Sequence, residues 1–469
     1  MPQIEKYDLV IIGSGPAGYV ASVRASQIGL KTVCIERRTR LGGVYLNDGC
    51  IPCKALLDSS SSFYLAKEHY TDFGILSVNM KLDLSVLMTR KEQVVKNLTE
   101  DVVDLLEKNK ISVIHGNARL AGEDRVLVTS SDGRTEILET KAILLATGSE
   151  SVCPDGFEFD GEYIVNSTQA LSFKTAPKHL VIVGGGYIGL ELGSVWNRLG
   201  SKVTIIEKEE NIATNLDCQI SRTLRKILTR QGVEIMLGSH AIDGRVEDGK
   251  VVVTIEQKGE LTGISCDRLL LAAGRKPFTR GLRLEEIGVM TNPETGHIMV
   301  DETFCTSIPT IYAIGDLIPG PVLAGKASAE GSAAVECMAG LSGKVNYDTI
   351  PSVIYTWPEI AGIGLTEEDA KEKHIPIHTE IYPFTAQEKT RCVKEDMYVK
   401  IISDPETDKI IGIHIIGPRA SDMIEECAME KEAGARAFEI IYALKSNPAF
   451  DEMFSKSGSE QDQYSIYTL

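Results

Sequence analysis

The sequence predicts an α/β protein with two Rossmann-like dinucleotide-binding domains followed by an α+β domain. Residues 7–37 and 178–208 each contain an apolar run, a glycine-rich turn, a helical pattern and a second apolar run that leads to a glutamate. Such strand–helix–strand units give parallel strands joined by a crossover helix. From about residue 350 onward, short strand-like runs are followed by helical segments, a pattern that is typical of an α+β domain.

The first unit carries the pattern G-x-G-x-x-G at Gly13, Gly15 and Gly18. The first glycine permits a tight turn, the second lets the backbone approach a pyrophosphate, and the third lets helix and strand pack closely. Glu36 lies 18 residues after the third glycine, where a carboxylate can accept hydrogen bonds from a ribose diol. The unit therefore predicts a dinucleotide site.

The second unit repeats this arrangement with Gly184, Gly186, Gly189 and Glu207. A lone glycine pattern can be a mere tight turn, but here strand, helix, second strand and terminal acid all occur twice. The carboxylate of Glu207 would repel a 2′-phosphate, which favours NAD over NADP. Lys208, the next residue, slightly weakens the preference for NAD over NADP.

Composition limits the other classes of function. The chain has 469 residues, of which 43% are hydrophobic, and its net charge is −17. Nucleic acid and anionic membranes are poor partners for such a chain, because both bind a basic surface. The N-terminus lacks a signal-peptide pattern and no long apolar stretch offers a membrane span, so we expect a cytoplasmic protein. Of ten cysteines, only Cys50 and Cys53 have a recognisable spacing, and no metal site is expected.

Several short patterns accompany the two units: GCIPCK at 49–54, ATG at 146–148 and YAIGD at 312–316. Together they resemble the class I pyridine nucleotide–disulfide oxidoreductases, and among these most closely the dihydrolipoamide dehydrogenases. The resemblance covers essentially the whole chain. It implies an FAD-binding domain made of residues 1–149 and 279–349, an NAD-binding domain at 150–278, and an interface domain at 350–469 that forms a homodimer.

The resemblance also implies roles for individual residues. The FAD diphosphate would lie on the glycines of the first unit and its ribose on Glu36. Lys54 would lie beside the flavin, paired with Glu191, and the positive charge would stabilise the reduced ring. The remaining cofactor contacts implied are Thr147, Gly148, Gly315 and Asp316 for FAD, and Gly274 and Arg275 with the second glycine pattern for NAD.

The sequence departs from the family where the thiol chemistry would lie. The family has two cysteines separated by four residues; here the second is Cys50, but Tyr45 stands at the position of the exchanging one. Tyrosine cannot undergo thiol–disulfide exchange. Near the C-terminus the family has a histidine before a proline as acid/base, whereas this chain has Asn447, with Glu452 retained. Asparagine cannot shuttle a proton near neutral pH.

Two further positions where the family usually has histidine carry Gly325 and Trp357. Because the departures concentrate around the expected thiol site while both glycine patterns are intact, we expect cofactor binding without efficient dithiol chemistry. Natural divergence and deliberate redesign would leave the same sequence.

Four functions remain open. The first is ordinary NAD-dependent oxidation of dihydrolipoamide, which Tyr45 and Asn447 oppose. The second is a shifted redox pair, Cys50 with Cys53, because a helix start and the neighbouring Lys54 could lower the pKa of a thiol; against it, Cys53 could simply pack as a small residue. The third, which we favour, is hydride transfer from NADH to FAD and on to an unknown acceptor that is not a dithiol. The fourth is a low-activity structural subunit that docks on a multienzyme complex.

Overall fold

The computed structural model describes residues 6–76, 80–384, 397–437 and 439. Asn447 and Glu452 lie outside these residues. In the described ranges, no helix has both the length and the apolar character needed to cross a membrane.

The first part of the chain forms six strands and four helices. Their bounds are β1 (Lys6–Ile12), α1 (Pro16–Gln27), β2 (Thr32–Glu36), α2 (Gly43–Asn47), α3 (Cys50–Glu68), α4 (Leu84–Lys108), β3 (Ser112–His115), β4 (Asn117–Gly122), β5 (Arg125–Thr129) and β6 (Thr135–Leu145). The next part contains β7 (Ser149–Ser151), β8 (Ile164–Val165), α5 (Ser167–Ala170), β9 (His179–Val183), α6 (Tyr187–Arg198), β10 (Lys202–Ile206), α7 (Cys218–Arg230), β11 (Val233–Met236), β12 (Ser239–Glu247), β13 (Lys250–Gln257), β14 (Glu260–Cys266), β15 (Arg268–Leu271) and β16 (Arg275–Pro277).

The remaining described elements are α8 (Leu284–Ile287), β17 (Ile311–Ala313), α9 (Ala324–Met338), β18 (Ser352–Ile354), β19 (Glu359–Gly364), α10 (Glu367–Glu372), β20 (His378–Pro383), β21 (Tyr398–Ser403), β22 (Ile410–Gly417) and α11 (Ala420–Glu432). A 3₁₀ turn at Gly315–Leu317 follows β17.

The two predicted Rossmann-like units form two separate sheets. The second is parallel throughout, and the first is parallel except where β5 and β4 extend it beyond β6 in antiparallel pairing. In the first sheet, β3, β2, β1 and β6 are neighbours in that order, and β17 pairs with β6, although it comes much later in the chain. In the second, the order is β11, β10, β9, β15 and β8. The central strands are buried on both faces and consist of continuous apolar runs, as parallel strands covered by helices require. The predicted fold class is confirmed.

The C-terminal part forms an antiparallel sheet with the order β18, β19, β22, β21 and β20. It is tied to the second unit by a buried ion pair: the Lys400 ammonium lies 2.7 Å from a carboxylate oxygen of Asp217. The other oxygen of Asp217 caps α7 by accepting hydrogen bonds from the N–H groups of Gln219 and Ile220. One aspartate therefore both starts α7 and anchors it to the C-terminal sheet.

Candidate active site

The first glycine pattern forms a turn between β1 and α1 that leaves room for a diphosphate. A Cβ on Gly13 would lie 2.3 Å from the carbonyl oxygen of Ala146, and one on Gly18 would lie 1.8 Å from that of Gly13. Both glycines are therefore required by close backbone packing. A Cβ on Gly15 would instead have nothing within 4 Å, so that this part of the turn stays open to a bound phosphate.

Glu36, at the end of β2, is buried and held by this turn. One carboxylate oxygen accepts hydrogen bonds from the backbone N–H of Ser14 at 3.1 Å and its hydroxyl at 2.5 Å. The other accepts from the N–H of Arg38 at 2.9 Å. The carboxylate is thus fixed at the edge of the turn, where a ribose would lie.

The second pattern reproduces this geometry. A Cβ on Gly184 would lie 2.4 Å from the carbonyl oxygen of Ala272, whereas one on Gly186 would have nothing within 4 Å. The Glu207 carboxylate accepts from the N–H groups of Gly185 at 2.6 Å and Glu209 at 2.9 Å. Each predicted nucleotide site therefore has the same open second glycine and the same oriented acid.

A cavity of about 700 Å³ extends from the first glycine turn toward α3 and the C-terminal sheet. A cavity of this volume is large enough to hold a drug-sized ligand or a cofactor. Of the predicted FAD and thiol-site residues, the cavity is lined by Gly13, Gly15, Glu36, Tyr45, Cys50, Cys53, Lys54, Thr147, Gly148, Glu191, Gly315, Asp316 and Gly325, and Arg275, predicted as an NAD contact, lines it too. The structure thus brings residues from distant parts of the chain to one site.

Asp316 enters this cavity from the turn after β17. Its carboxylate accepts a hydrogen bond of 2.5 Å from the hydroxyl of Ser149. Arg275 donates to that same hydroxyl at 2.8 Å and to the backbone carbonyl of Ser149 at 2.7 Å. Arg275, predicted only as an NAD contact, is thus linked through Ser149 to Asp316, an expected FAD contact. The hydroxyl of Thr147 donates to the carbonyl of Phe278 at 2.6 Å.

A buried ion pair on α9 holds the same turn and was not predicted from the sequence. The Lys326 ammonium lies 3.1 Å from Glu330, and both side chains are almost fully buried. Glu330 accepts from the N–H of Gly315 at 2.7 Å, while Lys326 donates to the Gly315 carbonyl at 2.9 Å. Tyr347 donates to the second oxygen of Glu330 at 2.9 Å. The Lys326–Glu330 pair therefore fixes both the N–H and the carbonyl of Gly315, whose φ is +69°.

The thiol region is formed by α2 and the start of α3. Tyr45 lies on α2 and is half-buried, and Cys50 is the first residue of α3. Both line the cavity. Helix α3 begins at Cys50, so the helix start expected beside Lys54 lies at Cys50 and Cys53 follows within the first turn.

Lys54 and Glu191 do not form the ion pair that the sequence analysis expected. The Lys54 ammonium lies 4.1 Å from the centre of the Tyr355 ring. Among the residues that the structure describes, Glu191 accepts from the backbone N–H of Tyr355 at 3.0 Å and from the Cys53 thiol at 3.4 Å. Tyr355 therefore contacts both of the expected partners. Burial raises the pKa of Glu191, against the effects of Tyr355, Cys53 and the Lys54 charge.

Burial acts to lower the pKa of Lys54. The phenol of Tyr355 and the neighbouring Tyr45 and Cys50 act in the opposite direction and outweigh burial, so the pKa of Lys54 is raised. The ammonium is therefore present at neutral pH and faces the cavity. A fixed positive charge there would stabilise electron density on a bound cofactor.

Cys53 is buried in an apolar cluster that includes Leu56 and Leu190, and its thiol faces Glu191. Both Cys50 and Cys53 are free thiols. The expectation that Lys54 and the helix start would lower a thiol pKa is wrong for this arrangement. Burial, followed by the Glu191 carboxylate, raises the pKa of Cys53 well above its ordinary value.

The same two causes, in the same order, raise the pKa of Cys50 from 9.0 to about 11. The accessible part of the Cys50 side chain faces the cavity, and the protein around the cavity desolvates the thiolate.

Because the thiolate is the nucleophile, alkylation of Cys50 by iodoacetamide near pH 8 should be about a hundredfold slower than for an ordinary thiol. The rate should rise with pH through a midpoint near pH 11. Mass-spectrometric labelling rates in FAD-depleted protein measure this midpoint. A midpoint below the ordinary value would show that Lys54 governs the thiol instead.

Gly325 and Trp357, the two positions where the family usually has histidine, have different surroundings in the structure. Gly325, at the start of α9, lines the cavity, and a Cβ there would meet only Ile350 within 4 Å, at 3.6 Å. Trp357 is not among the lining residues; its backbone carbonyl accepts a hydrogen bond of 2.7 Å from Gln231. Of the two, only Gly325 therefore enlarges the cavity. Within the described ranges, no group of three or more histidine, cysteine and acidic side chains is placed to hold a metal ion.

Comparison with known proteins covers nearly the whole chain. Residues 7–331 match the profile described as pyridine nucleotide-disulphide oxidoreductase, and residues 350–457 match the dimerisation domain of the same group. The chain is 41% identical to dihydrolipoyl dehydrogenase 1, mitochondrial, of Arabidopsis thaliana over 97% of this chain and 90% of that protein. It is 40% identical to the leghemoglobin reductase of Glycine max over 96% of this chain and 86% of the relative.

Among solved structures, a similar one is the Cu(II) complex of the HOCl-induced flavoprotein disulfide reductase RclA from Escherichia coli. The TM-score is 0.82 and the identity 27%, with 96% of this chain and 99% of that chain covered. The similarity therefore extends over both nucleotide-binding units and the C-terminal sheet.

Proposed function

Because the chain belongs to the pyridine nucleotide–disulfide oxidoreductase family, close to the dihydrolipoyl dehydrogenases, we propose that it passes electrons from NADH through FAD to an acceptor other than a dithiol. Members of this group are enzymes that use FAD and NAD(H), and the C-terminal domain is a homodimerisation domain. When bound, FAD would supply the redox chemistry that links NADH to the acceptor. The residues of this chain hold, orient and polarise it.

The proposal depends chiefly on Tyr45. This phenol and the Cys50 thiol both line the cavity, and the resemblance to the family implies that disulfide exchange would take place at these two positions. Burial raises the pKa of Tyr45 despite the nearby Lys54 charge, so the side chain is a neutral hydrogen-bond donor at neutral pH. A phenol in this position cannot form the mixed disulfide that dithiol turnover needs.

The surroundings of Cys53 argue against a shifted Cys50–Cys53 pair. The Cys53 thiol is buried and donates to Glu191, and the pKa of each thiol is raised. Exchange requires an accessible thiolate. To form a disulfide, Cys53 would have to leave its apolar surroundings and its carboxylate partner.

The name of one relative, the leghemoglobin reductase of Glycine max, supports an acceptor outside the dithiols. The structural relative RclA is named a flavoprotein disulfide reductase and was solved as a Cu(II) complex. The space beside Gly325 gives a non-thiol acceptor more room than a side chain at this position would leave. Oxygen, a quinone, a dye or a metal complex all fit this class of acceptor.

An anaerobic titration with NADH tests the proposal on the purified holoenzyme. We expect the flavin absorbance to bleach after about one NADH per FAD, with no further uptake, because no disulfide accepts a second electron pair. The Cys53→Ser variant is the matched control and should behave in the same way. Uptake of a second NADH that Cys53→Ser abolishes would contradict the proposal and support the shifted pair. Absence of bleaching would contradict it too, and would favour the docking role on a multienzyme complex.

A further inference from the structure

Tyr355 contacts two charged side chains at the wall of the cavity, each through a different part of the residue. Its ring centre lies 4.1 Å from the Lys54 ammonium, a distance at which the face of an aromatic ring attracts a cation. Its backbone N–H donates to a carboxylate oxygen of Glu191 at 3.0 Å. All three residues line the cavity. One residue of the C-terminal part thus reaches both side chains that the sequence analysis expected to pair.

The ring of Tyr355 takes the place that a carboxylate would have beside Lys54. Within the described ranges, no aspartate or glutamate forms a salt bridge with the partly buried Lys54 ammonium. Both oxygens of Glu191 accept hydrogen bonds from other donors, one from the N–H of Tyr355 and the other from the Cys53 thiol. A charge that is partly removed from water needs a compensating contact, and the aromatic face provides it.

The position of the Tyr355 ring is set by the backbone on both sides of it. Ile354, the last residue of β18, is buried and paired with β19. On the other side, the hydroxyl of Thr356 donates to the carbonyl of Pro358 at 2.7 Å. The ring also packs against the apolar cluster that contains Cys53. The ring is therefore held in place before any ligand binds, as a residue that orients another one requires.

We propose that Tyr355 is a positioning residue that holds the Lys54 ammonium at the cavity and thereby raises the reduction potential of bound FAD. The ring attracts the ammonium, while the backbone N–H engages the carboxylate that would otherwise neutralise it. A positive charge that is not neutralised favours the electron-rich, reduced form of FAD. The inference requires bound FAD but not the identity of the acceptor, so it is tested separately from the proposal of an acceptor other than a dithiol.

The reduction potential of the FAD-containing enzyme, measured anaerobically against a reference dye, tests the proposal. Pentafluorophenylalanine in place of Tyr355 keeps the shape of the ring but draws electron density away from its face, so that the face no longer attracts a cation. At a given solution potential, we expect the ratio of reduced to oxidised FAD to fall about tenfold, which is about 30 mV for a two-electron couple. Tyr355→Phe retains an electron-rich ring and should stay close to the native potential.

Lys54→Met removes the cation itself and should lower this ratio at least as far. Combining it with pentafluorophenylalanine at position 355 should cause no further loss, because Tyr355 acts through Lys54. Tyr163→Leu is the matched control. The Arg268 guanidinium lies 4.7 Å from the centre of the Tyr163 ring, and neither residue lines the cavity. Loss of this second cation–ring contact should leave the potential unchanged.

Four results would overturn the proposal. The first is an unchanged potential with pentafluorophenylalanine at position 355, and the second is an unchanged potential in Lys54→Met. The third is an additional loss when the two changes are combined, since Tyr355 would then act by a route other than Lys54. The fourth is an equal loss in Tyr355→Phe and in the pentafluorophenylalanine variant, which would assign the effect to the hydroxyl group and not to the ring.

Discussion

The double substitution Tyr45→Cys with Asn447→His is expected to raise lipoamide turnover by about a hundredfold or more. The first change supplies a sulfur that can exchange with a dithiol, and the second supplies a side chain that titrates near neutral pH. A positioned acid/base alone typically contributes about a hundredfold to ten-thousandfold. The comparison is steady-state turnover of lipoamide by the native chain and the double variant, at equal FAD content.

Tyr45→Ser with Asn447→His is the matched control, since it opens the same space and adds the same histidine without a sulfur. It should stay near the native rate. Reduction of a dye by NADH should change little in either variant, because neither residue belongs to the glycine turns or to the Gly315 turn. Efficient lipoamide turnover by the native chain would refute our interpretation of Tyr45.

The second large effect is expected at the ion pair of α9. Lys326→Met leaves the Glu330 carboxylate buried beside Gly315 without its cation, and breaking a buried pair from one side costs about 3–5 kcal/mol. Both side chains are almost fully buried, at 1% and 0% exposure, so solvent cannot replace the lost partner. We expect most of the FAD to be lost on purification and the urea unfolding midpoint to fall markedly.

Adding Glu330→Gln to Lys326→Met should recover part of both losses, because the amide is neutral and its oxygen can still accept from the Gly315 N–H. Lys344→Met, at an exposed position beyond the end of α9, is the control and should match the native chain. FAD content by absorbance and unfolding by circular dichroism provide the measurements. Equal behaviour of Lys326→Met and Lys344→Met would show that this pair does not hold the turn.

Local patterns were sufficient to predict the two nucleotide-binding units. The close contact of Gly18 with Gly13, and the acid at the end of β2, arise within one strand–helix–strand segment. Their spacing therefore carries nearly all the information about their geometry, and the same holds for Gly189 and Glu207 in the second unit. The close contacts of Gly13 and Gly184 are made instead with Ala146 and Ala272, which lie outside these segments.

What the sequence could not predict depends on contacts between distant segments. Lys326 and Glu330 are spaced as an i,i+4 pair, which usually indicates a solvated helix face; their burial follows only from the packing of α9 beneath the turn after β17. Tyr355 belongs to the C-terminal part, so its contacts with Lys54 and Glu191 have no local signal in the sequence. The raised pKa of Cys50 has the same origin, since its main causes are desolvation and Glu191.

The buried pair of Lys400 with Asp217 has a consequence for how this chain could have evolved. Lys400 is also held by Glu367 of the C-terminal part, at 3.2 Å. A recombination event that joined the second unit to a C-terminal part without a cation at this position would therefore leave the buried Asp217 carboxylate without its partner, whereas Lys400 would keep one. We therefore expect Asp217 and Lys400 to be inherited together.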